Sequence, residues 1–139
     1  MDIKLFLDDV RFPEVVQWMG DDNYVYQEPG WIIVRNYKEF INYIENNNLP
    51  TLIAFDHDLE YQLIDKEDER IKSFNGEIAL VGTKLEKDQP NGLQCAKWLV
   101  EYCKISKQKL PIFICHSLNP MGKVDILSYL TNAKKHLNL

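Results

Sequence analysis

The sequence predicts an α/β domain built on a mainly parallel sheet of about four strands. Three observations predict it: four short apolar runs that each end in polar residues, helical apolar patterns alternating with those runs, and a size suited to one core. The chain has 139 residues, 45% of them apolar, which fits a single domain over 1–139.

Ile3 to Leu7 is the first run, ended by Asp8 and Asp9, as expected of a buried strand whose C-terminal end opens into a polar loop. Trp31 to Val34 repeats the pattern. Asn36 with Glu39 three residues on resembles a capping box, and Tyr37, Phe40, Ile41 and Ile44 then follow a helical period. Pro50 closes the linker before Leu52 to Phe55, which end in Asp56-His57-Asp58 and read as the central strand. The stretch 60–90 is largely polar, interrupted by Ile78 to Val81, and lacks a sustained helical period. It reads as an insertion after the third strand, with room for a small hairpin. Asn91 suits the cap of a helix with Ala96, Leu99, Val100 and Cys103 inward and Trp98 beside them. Pro111 introduces the last run, Ile112 to Cys115, which ends in His116-Ser117. Asn119-Pro120 then supplies an N-cap and a first-turn proline for a helix whose expected apolar face is Val124, Leu127, Leu130 and Leu137.

Acidic residues outnumber basic ones 21 to 16, so the chain lacks the overall positive field behind non-specific duplex DNA or anionic membrane binding. A local basic site stays open. Cys95, Cys103 and Cys115 lie inside apolar segments and read as reduced core thiols. The first apolar run is too short for a signal peptide, and none approaches the roughly 18 apolar residues of a membrane span. The expected location is cytoplasmic.

In a parallel α/β sheet the ligand crevice lies beyond the strand carboxyl ends. Asp8-Asp9, Asp56-His57-Asp58 and His116-Ser117 should therefore converge. Grouped carboxylates repel unless a cation or protons neutralise them, and oxygen donors select hard ions. Asp8, Asp9 and Asp56 are the candidate ligands of Mg²⁺, or Mn²⁺; the alternative is that Asp8 and Asp9 cap a turn. Asp58 is open between a further ligand, a base that activates water and an N-cap. His57, between two acids, either handles a proton at a substrate oxygen or is structural. His116 is a candidate general acid or base, and Ser117 a hydroxyl donor. Asn119 opens a helix whose N-terminus suits an anion, and Gly122 would let that anion approach the backbone. Phosphate suits such a site; a capped helix with no ligand is the alternative. Arg11 could clamp phosphate bidentately, Arg35 less directly, and either could pair with an acid instead. Trp31 and Trp98 suit packing better than base stacking. His57-Asp58 ends a strand, unlike the helical setting of HD phosphohydrolases, and no Cys-x-x-Cys occurs.

Asp8-Asp9, Asp56 and Ser117, each after a strand, resemble the response-regulator receiver pattern. That resemblance implies a flavodoxin-like three-layer sandwich in which the acids hold Mg²⁺, Asp56 stands at the phosphoacceptor position and Ser117 contacts the phosphoryl group. More specifically, Leu-Asp-Asp-x-Arg-x-Pro (Leu7 to Pro13), Phe-Asp-His-Asp-Leu (Phe55 to Leu59) and His-Ser-x-Asn-Pro-x-Gly (His116 to Gly122) resemble the cyclic-phosphate-processing receiver-like family. The likeness implies phosphoester chemistry on a cyclic phosphate, in RNA processing or in prokaryotic and phage conflict systems. A receiver's final strand, ending in a lysine that pairs with the phosphoryl group, has no counterpart in the pattern here, so phosphotransfer signalling is not the expected use. Arg11 or Lys123 could replace that charge. Two functions are carried forward. One is a metal-dependent phosphoesterase acting on a cyclic phosphate or phosphodiester of a nucleotide or RNA end; the other is a non-catalytic module sensing a phosphorylated ligand or protein partner.

Overall fold

A computed structural model describes residues 2–59 and 90–139. The insertion expected over 60–90, with its hairpin, lies outside the described residues apart from Pro90. The four expected strands form as β1 (Lys4–Leu7), β2 (Trp31–Val34), β3 (Leu52–Phe55) and β4 (Ile112–Cys115). They make one parallel sheet in the order β2-β1-β3-β4. Parallel neighbours need crossovers. Among the described residues these include α1 (Asn23–Gln27) between β1 and β2 and α2 (Tyr37–Asn46) between β2 and β3. They also include α3 (Gly92–Ser106) before β4, and α4 (Pro120–His136) follows it.

Each longer helix starts where the sequence supplies a cap. Asn36 accepts from the Glu39 amide; the Glu39 carboxylate, however, accepts from Arg35 rather than from the cap residue, so the expected box is only half closed. Asn91 and Gln94 form a complete capping box. Asn119 accepts from the Gly122 amide, with Pro120 in the first turn. The inward face of α4 differs from the expected one. Ile126, Leu130 and Ala133 are buried, whereas Val124 and Leu137 are exposed. The stripe at i, i+4 and i+7 wins because it lies on the side that also carries Gly122, the point of closest approach to His57.

The sheet's two faces are covered unequally. Leu5, Leu7, Val34, Ile53, Phe55 and Cys115 point to one side and pack against α2, α3 and α4 through residues such as Phe40, Ile44, Leu99, Val100, Ile126 and Leu130. Each such side chain contributes about 1.5–3 kcal/mol on burial. On the other side, among the described residues, Phe6 and Ala54 form a smaller apolar cluster with Val16 and Tyr26, with Met19, Trp31, Ile33 and Ile114 at the edges. This thin layer comes from the β1–β2 connection, where short 3₁₀ turns at Pro13–Val15 and Gly20–Asp22 precede α1. Turns this short have no apolar period to read in sequence. The resulting three layers agree with the flavodoxin-like, receiver-like expectation. The three cysteines are buried and unbridged, and burial raises the Cys103 and Cys115 thiols to about 11. No helix among the described residues is long and apolar enough to cross a membrane.

Candidate functional site

The strand ladder runs one residue past β1, β3 and β4. Asp8 N–H donates to Val34, Asp56 N–H to Leu7 and His116 N–H to Phe55, at 3.2, 3.0 and 3.0 Å. These residues therefore reach one level at the carboxyl edge. Asp8, Asp9 and Asp56 are all buried, and each offers a carboxylate oxygen within 4.8 Å of the others. A cavity of about 490 Å³ opens beside them, lined by Asp9, Val10, Arg11, Asp56, Asp58, Ser117, Leu118, Asn119 and Pro120. That volume lies within the range of small-molecule sites.

Asp8 is saturated. Its Oδ1 accepts from the Val10 and Arg11 amides at 3.0 and 2.8 Å, and its Oδ2 from Arg11 Nη1 at 3.1 Å and His116 Nε2 at 3.0 Å. Those four bonds fill the roughly four acceptor positions of a carboxylate. Burial alone would raise its pKa, but the hydrogen bonds from His116, Arg11 and Val10 hold it below the usual carboxylate range. Asp56 is the opposite case. Among the described residues its Oδ1 accepts from the His57 amide at 2.9 Å, and Arg11 Nη1 stands 3.7 Å from Oδ2. Burial and the neighbouring charges of Asp8 and Asp9 push it up to about 8, against the lowering by Arg11.

His116 does not open on the cavity. It is fully buried, stacked on Phe6 with ring centroids 4.7 Å apart, and its Nδ1 lies 3.3 Å from the Tyr26 hydroxyl. Burial lowers its pKa, against the raising by Asp8. The sequence makes His116 a candidate general acid or base; here both of its ring nitrogens are engaged inside the protein, with Asp8 and Tyr26. Ser117 does line the cavity, and its Oγ accepts from the Asn119 amide at 3.1 Å.

His57 and Asp58 form a pair, with Nδ1 2.8 Å from Oδ1, and Asn119 Nδ2 donates to both Asp58 oxygens at 3.4 and 3.3 Å. The His57 ring also explains Gly122: a Cβ there would stand 2.3 Å from His57 Cγ. Gly122 is thus small to admit an imidazole, not an anion as the sequence suggested. Asn119 likewise spends its side chain on Gly122 and Asp58. Arg11 enters the acid cluster and lies over Trp18, whose Nε1 donates to the His116 carbonyl at 2.8 Å. Arg35 Nη1 donates to the carbonyls of Asp8 and Arg11, bracing the loop that carries Arg11.

Three contributors had no local signal in the sequence: Tyr26, Trp18 and Gly92. Gly92 donates its amide to His57 O at 2.7 Å, and a Cβ at this position would meet the Asp56 carbonyl oxygen at 1.8 Å. Only glycine lets α3 approach the end of β3 so closely. Its place directly after an N-cap and opposite an acidic strand end was the one available clue.

The donor set suits a hard divalent cation. It consists of the carboxylate oxygens of Asp8, Asp9 and Asp56, all buried, with the Arg11 guanidinium beside Asp8 and Asp56. Comparison with protein families gives a match over residues 3–132 to the model of the cyclic-phosphate processing receiver domain. Comparisons with curated proteins and with solved structures give no significant match.

Proposed function

The chain belongs to the family of cyclic-phosphate processing receiver domains, and from that premise we propose that its cavity hydrolyses a cyclic phosphate of a nucleotide or RNA end. The observation that carries this reading is the joint presence, at one cavity, of a buried cluster of three carboxylates, a guanidinium and a serine hydroxyl. Asp9 and Asp56 would hold Mg²⁺ or Mn²⁺, with Asp8 committed to Arg11 and His116. The ion, when bound, would polarise the phosphoryl group and acidify an attacking water.

The chain's own residues supply the rest. Arg11 and Ser117 bind non-bridging phosphoryl oxygens, where charge grows in the transition state. Asp58 lines the cavity and is held by His57 and Asn119, so it serves as the general base. It takes a proton from water as the water oxygen bonds to phosphorus. The ring P–O bond to the ribose 2′ or 3′ oxygen breaks, and the proton returns from Asp58 to that departing oxygen. The product is an open phosphomonoester.

A second reading is favoured by the burial of His116, which removes the proton donor expected from sequence: a module that binds the phosphorylated ligand and leaves it intact. Incubating the purified protein with 2′,3′-cyclic nucleotides, cyclic dinucleotides and a cyclic-phosphate-ended RNA, with and without Mg²⁺, separates the two. Mg²⁺-dependent ring opening that is lost in Asp58→Asn supports hydrolysis. Saturable binding by calorimetry without product makes the protein a sensor.

A further inference from the structure

We infer that Tyr26 and His116 are positioning residues that hold the Arg11 guanidinium for a phosphoryl group, acting through the Asp8 carboxylate. The proposal rests on the reading of the cavity as a phosphate site. It begins from a chain of contacts that crosses the molecule: Tyr26 hydroxyl to His116 Nδ1, His116 Nε2 to Asp8 Oδ2, and Asp8 Oδ2 to Arg11 Nη1, at 3.3, 3.0 and 3.1 Å.

The direction of the bonds to Asp8 follows from chemistry. An ionised carboxylate only accepts, so the proton between Asp8 and His116 sits on Nε2. The Tyr26 hydroxyl holds the other ring nitrogen, Nδ1. Tyr26 thus fixes the ring from behind, and the ring orients Asp8. Phe6 stacked on the imidazole and Tyr26 edge-on to it fix the plane of the ring. Asp8 in turn grips Arg11 twice, at the main-chain amide and at Nη1. Arg11 is the only member of this chain that lines the cavity. The other three are buried, so they reach a ligand only through it.

The test uses the full chain with Tyr26→Phe, which removes one oxygen, and His116→Gln as a second variant; amide spectra check that each folds. With ¹⁵N-arginine labelling only three arginines report, and rotation of the Arg11 guanidinium is read without ligand. It should be restricted in wild type and freed in both variants. Calorimetry with inorganic phosphate in Mg²⁺ should show affinity about tenfold weaker in Tyr26→Phe, the scale of one lost hydrogen bond. In an Arg11→Ala background the same change should have no further effect, because coupled residues are non-additive. A guanidinium equally restricted in both variants overturns the proposal, as does a phosphate effect that persists without Arg11. If the variants free Arg11 but wild type binds no phosphate, the hydrogen-bonded chain stands and the phosphate-site reading falls.

Discussion

The ends of β1 and β3 are neighbours in the sheet, and each places one buried aspartate a single residue beyond its strand, yet the two carboxylates are in opposite states. Asp8 receives four hydrogen bonds and is held ionised. Among the described residues Asp56 receives one amide bond; it faces two acids and is pushed up to about 8. Burial opposes ionisation in both, so the donors supplied by the surroundings decide the outcome. The lesson is a division of labour: Asp8 is spent on holding the protein's own Arg11 and His116, which leaves Asp56 in need of a positive charge that a ligand can bring.

Asp8→Ala is the largest way to break this contrast. It removes the acceptor for Arg11 and for buried His116, so unfolding by denaturant should show a loss of about 3–5 kcal/mol, the cost of stripping one partner from a buried pair. A loss under about 1 kcal/mol, the scale of an exposed pair, would mean that Asp8 is replaceable.

Titration sharpens the contrast next, because the two groups act in separate pH windows. Asp56 has a raised folded pKa, so between about 4 and 8 the folded state binds more protons than the unfolded state. Its contribution is therefore full below pH 4 and declines as pH rises towards 8. Asp8 has a depressed folded pKa, and its contribution is lost only as pH falls below the ordinary carboxylate value. Without divalent cations the thermal midpoint of wild type should exceed that of Asp56→Asn by more at pH 5 than at pH 8, and Mg²⁺ should recover wild type most at pH 8. Parallel curves for wild type and Asp56→Asn would remove Asp56 as the group responsible.

The smallest effect concerns the end of β4. Asn119→Ala loses the cap of α4 and both bonds to Asp58, and should cost about 1 kcal/mol, the usual worth of an N-cap. On the reading of Asp58 as base it should lower turnover more than it lowers phosphate affinity. Equal losses in both would place Asn119 on the binding side.

How much of this was legible depends on the range of the interaction responsible. Strands β1 to β4 and the caps at Asn36, Asn91 and Asn119 were legible because an apolar run or a side chain three residues from its amide is a local feature. Convergence of Asp8, Asp9, Asp56 and Ser117 followed from parallel topology. The layer from Pro13 to Gln27 was not legible, since turns of three to five residues leave no period. Nor was the inward face of α4, where the apolar spacing of Val124, Leu127 and Leu130 suits one stripe and the neighbour His57 selects another.

By itself, then, the sequence determined the parallel α/β frame and the set of polar residues at its carboxyl edge, because both depend on chain-local hydrophobicity and on one topological rule. The tertiary structure alone decided what each of those residues does. Asp8 meets His116 across 108 positions of sequence and His116 meets Tyr26 across 90, and such partners, unlike a cap, are fixed only when the layers pack. The same packing withdraws His116 from solvent, turns Gly122 towards His57 and sets Asp56 beside two other acids.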